Sequence, residues 1–230
     1  MSIVDKEFGE IKIRKNKLAR RVKISVGVDG FLRASIPYYS PEFAVKRLIN
    51  HNRAEIRQIL SQHNSQNIYR DGDLIGKTHT LFLRHFSGEE IKISFDGNQI
   101  FLRIPEDLPF DDRLVQAEIR RIVVKILRKQ AKAYLPRRID FLAEKYDFKF
   151  QRLHFSHTGT RWGSCSSSGT ISLNIALMNL PHYLIDYVII HELCHTRQMN
   201  HSRKFWAEVE KYCPNCKKYV QEMKHFSPSI

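Results

Sequence analysis

The stretch DYVIIHELCHTRQMNH, residues 186–201, decides how the rest of this chain is read. Inside it stands His191-Glu192-Leu193-Cys194-His195, an H-E-x-x-H spacing. On an α-helix, residues four apart lie one turn above another, so the two imidazoles can converge on one ion. Glu192 sits one position round and can reach a water on that ion without being a ligand. Zinc in catalytic sites takes three protein ligands and keeps a fourth position for water. The ion lowers that water's pKa to about 7, and a neighbouring carboxylate can take its proton. The surroundings strengthen this reading. Pro181 follows Asn179 near a helix start, and Leu184, Val188, His191 and His195 form a single stripe at i, i+4, i+7 and i+11. Tyr187, Ile189, Ile190 and Cys194 flank the stripe. A glutamate buried unpaired on such a helix is costly, which favours a metal over plain core packing.

The third ligand is expected at His201, six residues beyond His195. Asn200 tolerates the left-handed conformation that ends helices, and that turn would bring His201 back toward the ion. Ser202 then caps a new helix with Phe205, Trp206, Val209 and Tyr212 on its apolar face and Pro214 as its stop. Glu208 and Glu210 on that helix are the rival third ligands. The spacing H-E-x-x-H-x5-H also fits the metzincin pattern. Gln198, however, stands where that pattern has glycine, and Met223 lies in a polar stretch with no Met-turn, so metzincin membership is not expected.

Upstream, Thr160 to Cys165, then Ser166 to Gly169, then the strand Thr170 to Ile175 read as a β-hairpin leading into the metal helix. An edge strand beside such a metal can pair with an extended peptide. Arg161, Trp162, Gly163 and Ser164 are therefore the candidate substrate-binding residues. Arg161 suits an anionic group, and Trp162 can cover a cleft.

Further out, the first hundred residues read mostly as strands. Val22, Ile24, Val26 and Val28 alternate on one face, Asp29-Gly30 marks a hairpin turn, and Phe31 to Ile36 returns. Ser40 and Pro41 open a helix that Ala44, Leu48, Ile56 and Leu60 carry to about Ser61. Residues 62–72 are polar and turn-rich and mark a joint. Thr78 to Phe86, Ile91 to Phe95 and Gln99 to Ile104 read as further strands. The character changes at Asp111, where a helical pattern begins with Val115, Ile119, Ile122, Val123 and Ile126. Arg120, Arg121, Lys125, Arg128, Lys129 and Lys132 read as its solvated outer face. Pro136 is expected to break or kink this helix, which resumes over 139–146. The patterning predicts an α+β fold, with a β-rich N-terminal subdomain over 1–110 and a mostly helical catalytic domain with a small sheet over 111–230.

Hydrophobic residues make up 42% and charged residues 27%, which excludes wholesale disorder. The net charge of +14 leaves a nucleotide or nucleic acid open as a partner, although net charge alone defines no site. No run approaches the roughly 18–20 apolar residues of a membrane span. The N-terminal MSIVDKEFGE carries acids and no apolar core run, so it does not read as a signal peptide. A cytoplasmic protein with reduced cysteines is expected. Cys213 and Cys216 form a CxxC with no second pair to complete a four-sulfur zinc site.

The series RWGSC (161–165), SLNIAL (172–177), DYVIIHELCH (186–195) and NHSRKFW (200–206) resembles the YgjP-like metallopeptidase family, distantly similar to SprT-type and Wss-type proteases. The resemblance is densest over 158–213. It extends to RRVKISVGVDGFLRASIP (20–37), which is similar to the family's opening hairpin. Cys216 and the HFSHTGT stretch (154–160) depart from the usual pattern. The resemblance implies a zincin-like domain, Zn²⁺ on His191, His195 and His201, a catalytic Glu192, and a peptide or protein substrate. It also implies an alternative, nucleoside triphosphate pyrophosphohydrolysis, because members have been described with that activity. Phosphate chemistry more often uses Mg²⁺ held by carboxylates, and no such cluster is evident. A third reading, a nucleic-acid-associated protein with a structural zinc, fits poorly with Glu192 beside an open metal position.

Overall fold

A computed structural model describes residues 1–27, 31–66 and 68–230, without the side chains of 61–66. Among these residues the chain forms six α-helices and three mixed sheets, the expected α+β class. By compactness it divides into two units, Met1–Tyr69 with Asp107–Arg120, and Arg70–Glu106 with Arg121–Ile230. The division at Tyr69 falls in the polar stretch 62–72. Residues 70–106, grouped with the N-terminal strands by patterning, belong by compactness to the second unit.

The first unit contains β1 (Ser2–Asp5), β2 (Gly9–Asn16), β3 (Lys23–Val26) and β4 (Leu32–Pro37), ordered β1-β2-β4-β3. Strands β2 and β4 run parallel, and β3 pairs antiparallel with β4. Period-two alternation puts Ile11 and Ile13 on one buried face with Leu32, Ala34 and Ile36. The expected Asp29-Gly30 turn lies outside the described residues. The helix expected from Ser40 to Ser61 is instead two helices, α1 (Phe43–His51) and α2 (Arg53–Gln66). Asn52 separates them, and its side chain donates back to the Leu48 carbonyl at 2.8 Å, a local bond that competes with helix continuation. Glu42, not Ser40, is the N-cap, and it makes no side-chain cap bond. Val45 and Ile49, four apart, bury α1 against the sheet core. Arg53 joins the start of α2 to Asp5 and Glu7, both at 2.9 Å.

The second unit holds a sheet of β5 (Leu74–Ile75), β6 (His79–Phe86), β7 (Lys92–Asp96) and β8 (Gln99–Pro105), ordered β5-β6-β8-β7. Its β5–β6 turn explains why it groups here. The Lys77 N–H donates to Gln130 Oε1 at 2.8 Å, the Gly76 N–H donates to Asn179 Oδ1 at 3.0 Å, and Lys77 Nζ donates to the Leu180 carbonyl. Helix α3 (Arg113–Lys145), whose residues up to Arg120 belong to the first unit, runs unbroken through Pro136. Proline removes one N–H from the helical ladder, but Leu135 and Ile139 on either side are fully buried and hold the helix in place. Arg120, expected on the solvated face, is buried at 2% exposure, whereas Arg121, Lys125, Lys129 and Lys132 are exposed.

The remaining elements carry the histidines. Strands β9 (Arg152–Ser156), β10 (Gly163–Cys165) and β11 (Thr170–Asn174) form a sheet ordered β10-β11-β9. The β10–β11 pair is the expected hairpin, while β9, parallel to β11, has no counterpart in the patterning. Helices α4 (His182–His195), α5 (Arg203–Tyr212) and α6 (Cys216–Glu222) follow. Among the described residues no helix is long and apolar enough to cross a membrane.

Candidate metal centre

Helix α4 is buried nearly all round, from Leu184 to His195. A helix of that kind belongs to a core, so polar side chains on it need a specific reason. His191 and His195 stack one turn apart with ring centroids 4.9 Å from each other. The helix ends at Thr196, whose hydroxyl donates to the Leu193 carbonyl at 2.7 Å, and the Gln198 N–H closes on the Cys194 carbonyl at 2.9 Å. The chain then returns so that the His201 ring lies 4.7 Å from His195 and 5.1 Å from His191.

This return does not use the expected left-handed Asn200. Among the described residues, Asp147 is the one non-glycine residue with positive φ. Arg197 does the work instead. Its guanidinium donates to Glu208 Oε1 at 2.6 Å, to the Tyr212 hydroxyl at 2.9 Å and to the Asp147 carbonyl, and it lies 4.1 Å over the Phe148 ring. One side chain thus ties the end of α4 to α5 and to the exit of α3. Ser202 caps α5 as expected, accepting from the Phe205 N–H. Phe205, fully buried, stacks on His195 at 4.4 Å and 23°.

The three histidines each offer a nitrogen, and these atoms lie within 4.8 Å of one another. Among the described residues they are the one cluster of this kind. Nε2 of His191 and Nε2 of His201 face each other at 3.1 Å, so both cannot carry a proton. Burial, then the neighbouring His195 and His201, push His191 down to about 3. Burial also lowers His195, against the hydrogen bond to the Gln198 carbonyl. That bond, 3.0 Å from Nδ1, fixes Nδ1 as the donor and leaves Nε2 as a free acceptor. Neutral imidazoles with a determined tautomer are what a divalent metal needs. The donor set of three nitrogens fits a catalytic centre with an open fourth position. The rival ligands are otherwise engaged, Glu208 with Arg197 at 2.6 Å and Glu210 with Lys217 at 2.9 Å.

Glu192 is buried beside the cluster, and its Oε2 has no partner. Burial pushes its carboxyl up to about 8. Gly163 on β10 makes room for it, since a Cβ there would stand 2.6 Å from Glu192 Oε1. A cleft of about 300 Å³ opens at this point. His191 and Glu192 lie on its wall with Trp162, Gly163, Tyr187 and Val188, and exposed Arg161 also lines it. Val220 of α6 and Met223 complete it. Ser164 lies on the strand itself, paired across to Ser172, and does not line the cleft.

Strand β10 is an edge of its sheet, and its register tells which groups are free. The Asn174 N–H donates to the Trp162 carbonyl at 2.8 Å and the Ser166 N–H to the Thr170 carbonyl at 2.9 Å. In an antiparallel ladder the hydrogen-bonded pairs alternate, so Ser164 points its N–H and C=O inward to Ser172. Gly163 and Cys165 point theirs outward. The lining residues Tyr187, Val220 and Met223 were not singled out as site residues from sequence. Tyr187 was within reach, because it stands one turn before His191 on the same helix face. The cysteines at 165, 194, 213 and 216 are free.

The chain matches the YgjP-like metallopeptidase domain over residues 20–226. Two solved structures of metallopeptidase zymogens are similar to part of it. Abylysin of Pyrococcus abyssi shares 26% identity over 40% of this chain and 93% of its own, with a TM-score of 0.36. Jannalysin of Methanocaldococcus jannaschii shares 21% over 39% and 93%, with a TM-score of 0.35. No curated protein matches the chain.

Proposed function

Because this chain belongs to the YgjP-like metallopeptidase family, we propose that it is a zinc-dependent peptidase with His191, His195 and His201 as ligands and Glu192 as general base. The observation that carries the proposal is three converging imidazole nitrogens beside a buried carboxyl whose Oε2 has no partner. Zinc held by His191, His195 and His201 would supply Lewis acidity for a carbonyl and for a water. Glu192 would take a proton from the attacking water and pass it to the leaving amine. Its freedom from any other hydrogen bond leaves Oε2 available for both transfers. The substrate lies extended along β10, with its backbone on the outward groups of Gly163 and Cys165, next to Ser164. A side chain enters the cleft under Trp162, and Arg161 takes an acidic group at its mouth. The basic surface leaves nucleotide hydrolysis as the alternative, but no carboxylate cluster for Mg²⁺ accompanies the histidines among the described residues. A peptide library and a set of nucleoside triphosphates are to be screened side by side on zinc-loaded and chelator-treated protein. Metal-dependent cleavage of peptides is expected, whereas turnover of the triphosphates alone would overturn the reading.

A further inference from the structure

A second groove, of about 620 Å³, lies wholly within the first unit, between edge strand β3 and helices α1 and α2. From it we infer that this unit carries a docking site for an extended polypeptide segment bearing acidic residues. The inference does not rest on the peptidase reading. Its first support is the register of β3. The Gly27 N–H donates to the Phe31 carbonyl at 2.8 Å, and this pair continues the β3–β4 register. Hydrogen-bonded pairs alternate, so Lys23 and Ser25 turn their backbone groups toward β4. Ile24 and Val26 turn theirs away from it. An added strand would find an N–H and a C=O at each of those residues.

The second support is the floor. Ile24, Val26, Leu48, Ile56 and Ile59 line the groove, and Ile59 is 45% exposed. Alternate side chains of an added strand would face these residues. The third is charge. Arg20, Arg21 and Lys23 line the groove against a single acid, Glu55. None of the three cations has a hydrogen bond or ion pair among the described residues. A nucleic acid would answer the cations with its phosphates, which only accept hydrogen bonds, so its backbone could not match the alternating outward N–H and C=O groups of Ile24 and Val26 as a polypeptide strand does. A polypeptide strand with acids at one end answers all three features.

The test uses the full chain as its Glu192→Gln variant, so that a bound peptide is not cut. The probes are fluorescein-labelled nonapeptides of alternating valine and threonine with three glutamates at either end, read by fluorescence anisotropy. Saturable binding is expected for one of the two, weakening with salt. Arg20→Glu with Arg21→Glu should weaken it at least tenfold, as should N-methylation of the peptide's core amides. Ile24→Pro removes one outward N–H without touching the bonds to β4, and it should weaken binding similarly in protein whose circular dichroism is unchanged. The inference is overturned if neither peptide binds, if binding tolerates both N-methylation and charge reversal, or if a single-stranded oligonucleotide displaces the peptide through Arg20 and Arg21.

Discussion

Glu192 and Gly163 define each other. The carboxylate occupies the volume that any side chain at 163 would need, with 2.6 Å between Oε1 and a hypothetical Cβ. Real Cβ atoms do not approach that closely, and Glu192 is too buried to swing aside freely. Gly163→Ala should therefore displace the carboxylate. A loss of about 1–3 kcal/mol in stability is expected from such overpacking, with a larger loss of peptide hydrolysis. Thermal melts and a peptidase assay check both, and an alanine variant equal to wild type in each would refute the contact. Glu192→Gln keeps the shape but removes the proposed base. Hydrolysis should fall about 10²–10⁴-fold while metal content and melting temperature stay near wild type. A variant that loses its metal would make Glu192 a ligand instead.

At the scale of elements, the site depends on how α4 hands over to α5. Arg197 makes that connection by bonding Glu208, Tyr212 and the Asp147 carbonyl together. Arg197→Ala should cost about 1–3 kcal/mol and weaken metal binding, because His201 then loses the constraint on its approach. Calorimetric unfolding and metal titration would show it, and an unchanged metal affinity would place the constraint elsewhere. Ser202→Ala should remove about 1 kcal/mol through the lost cap. Helix α4, its two histidines and Glu192 were legible because helical periodicity is local, and a Ser-capped α5 was legible for the same reason. The return of His201 was legible as an outcome but not as a route. Arg197's partners lie 11, 15 and 50 residues away, and no local pattern encodes such contacts. The break at Asn52 was missed because one side-chain bond to Leu48 decides it, and the apolar spacing runs on across it. Pro136 misled in the opposite direction, since tertiary burial of its neighbours outweighs the lost ladder bond. Strand β9 escaped because parallel pairing with β11 is settled by residues some eighteen apart, not by alternation within the strand.

For the whole molecule, two opposed protonation equilibria shape stability in the metal-free state. His191 has its pKa depressed to about 3, so from pH 6.5 down to 3 the unfolded chain binds the extra proton and stability falls as pH falls. Burial shifts His195 in the same direction. Glu192 has its pKa raised to about 8, so from pH 4.5 up to 8 the folded chain holds the extra proton and stability falls as pH rises. From His191 and Glu192 together, metal-free protein should lose stability below about pH 4.5 and above about pH 6.5. Glu192→Gln should abolish the alkaline loss and let the His191 loss begin at about pH 6.5 instead of 4.5, and melts across this range would show whether it does. The net charge of +14 and the α+β class were readable from composition and patterning. The grouping of residues 70–106 with the histidine-bearing unit was not, because the Gly76 and Lys77 bonds to Asn179, Leu180 and Gln130 span large sequence separations.

The most direct measurement is the zinc content of purified protein after equilibrium dialysis, set beside that of His191→Ala, His195→Ala and His201→Ala. About one zinc per chain is predicted for the wild type, with none retained by the His191 and His195 variants and weakened binding in the His201 variant. Full retention of zinc by His191→Ala would contradict the three-histidine centre on which the proposed chemistry depends.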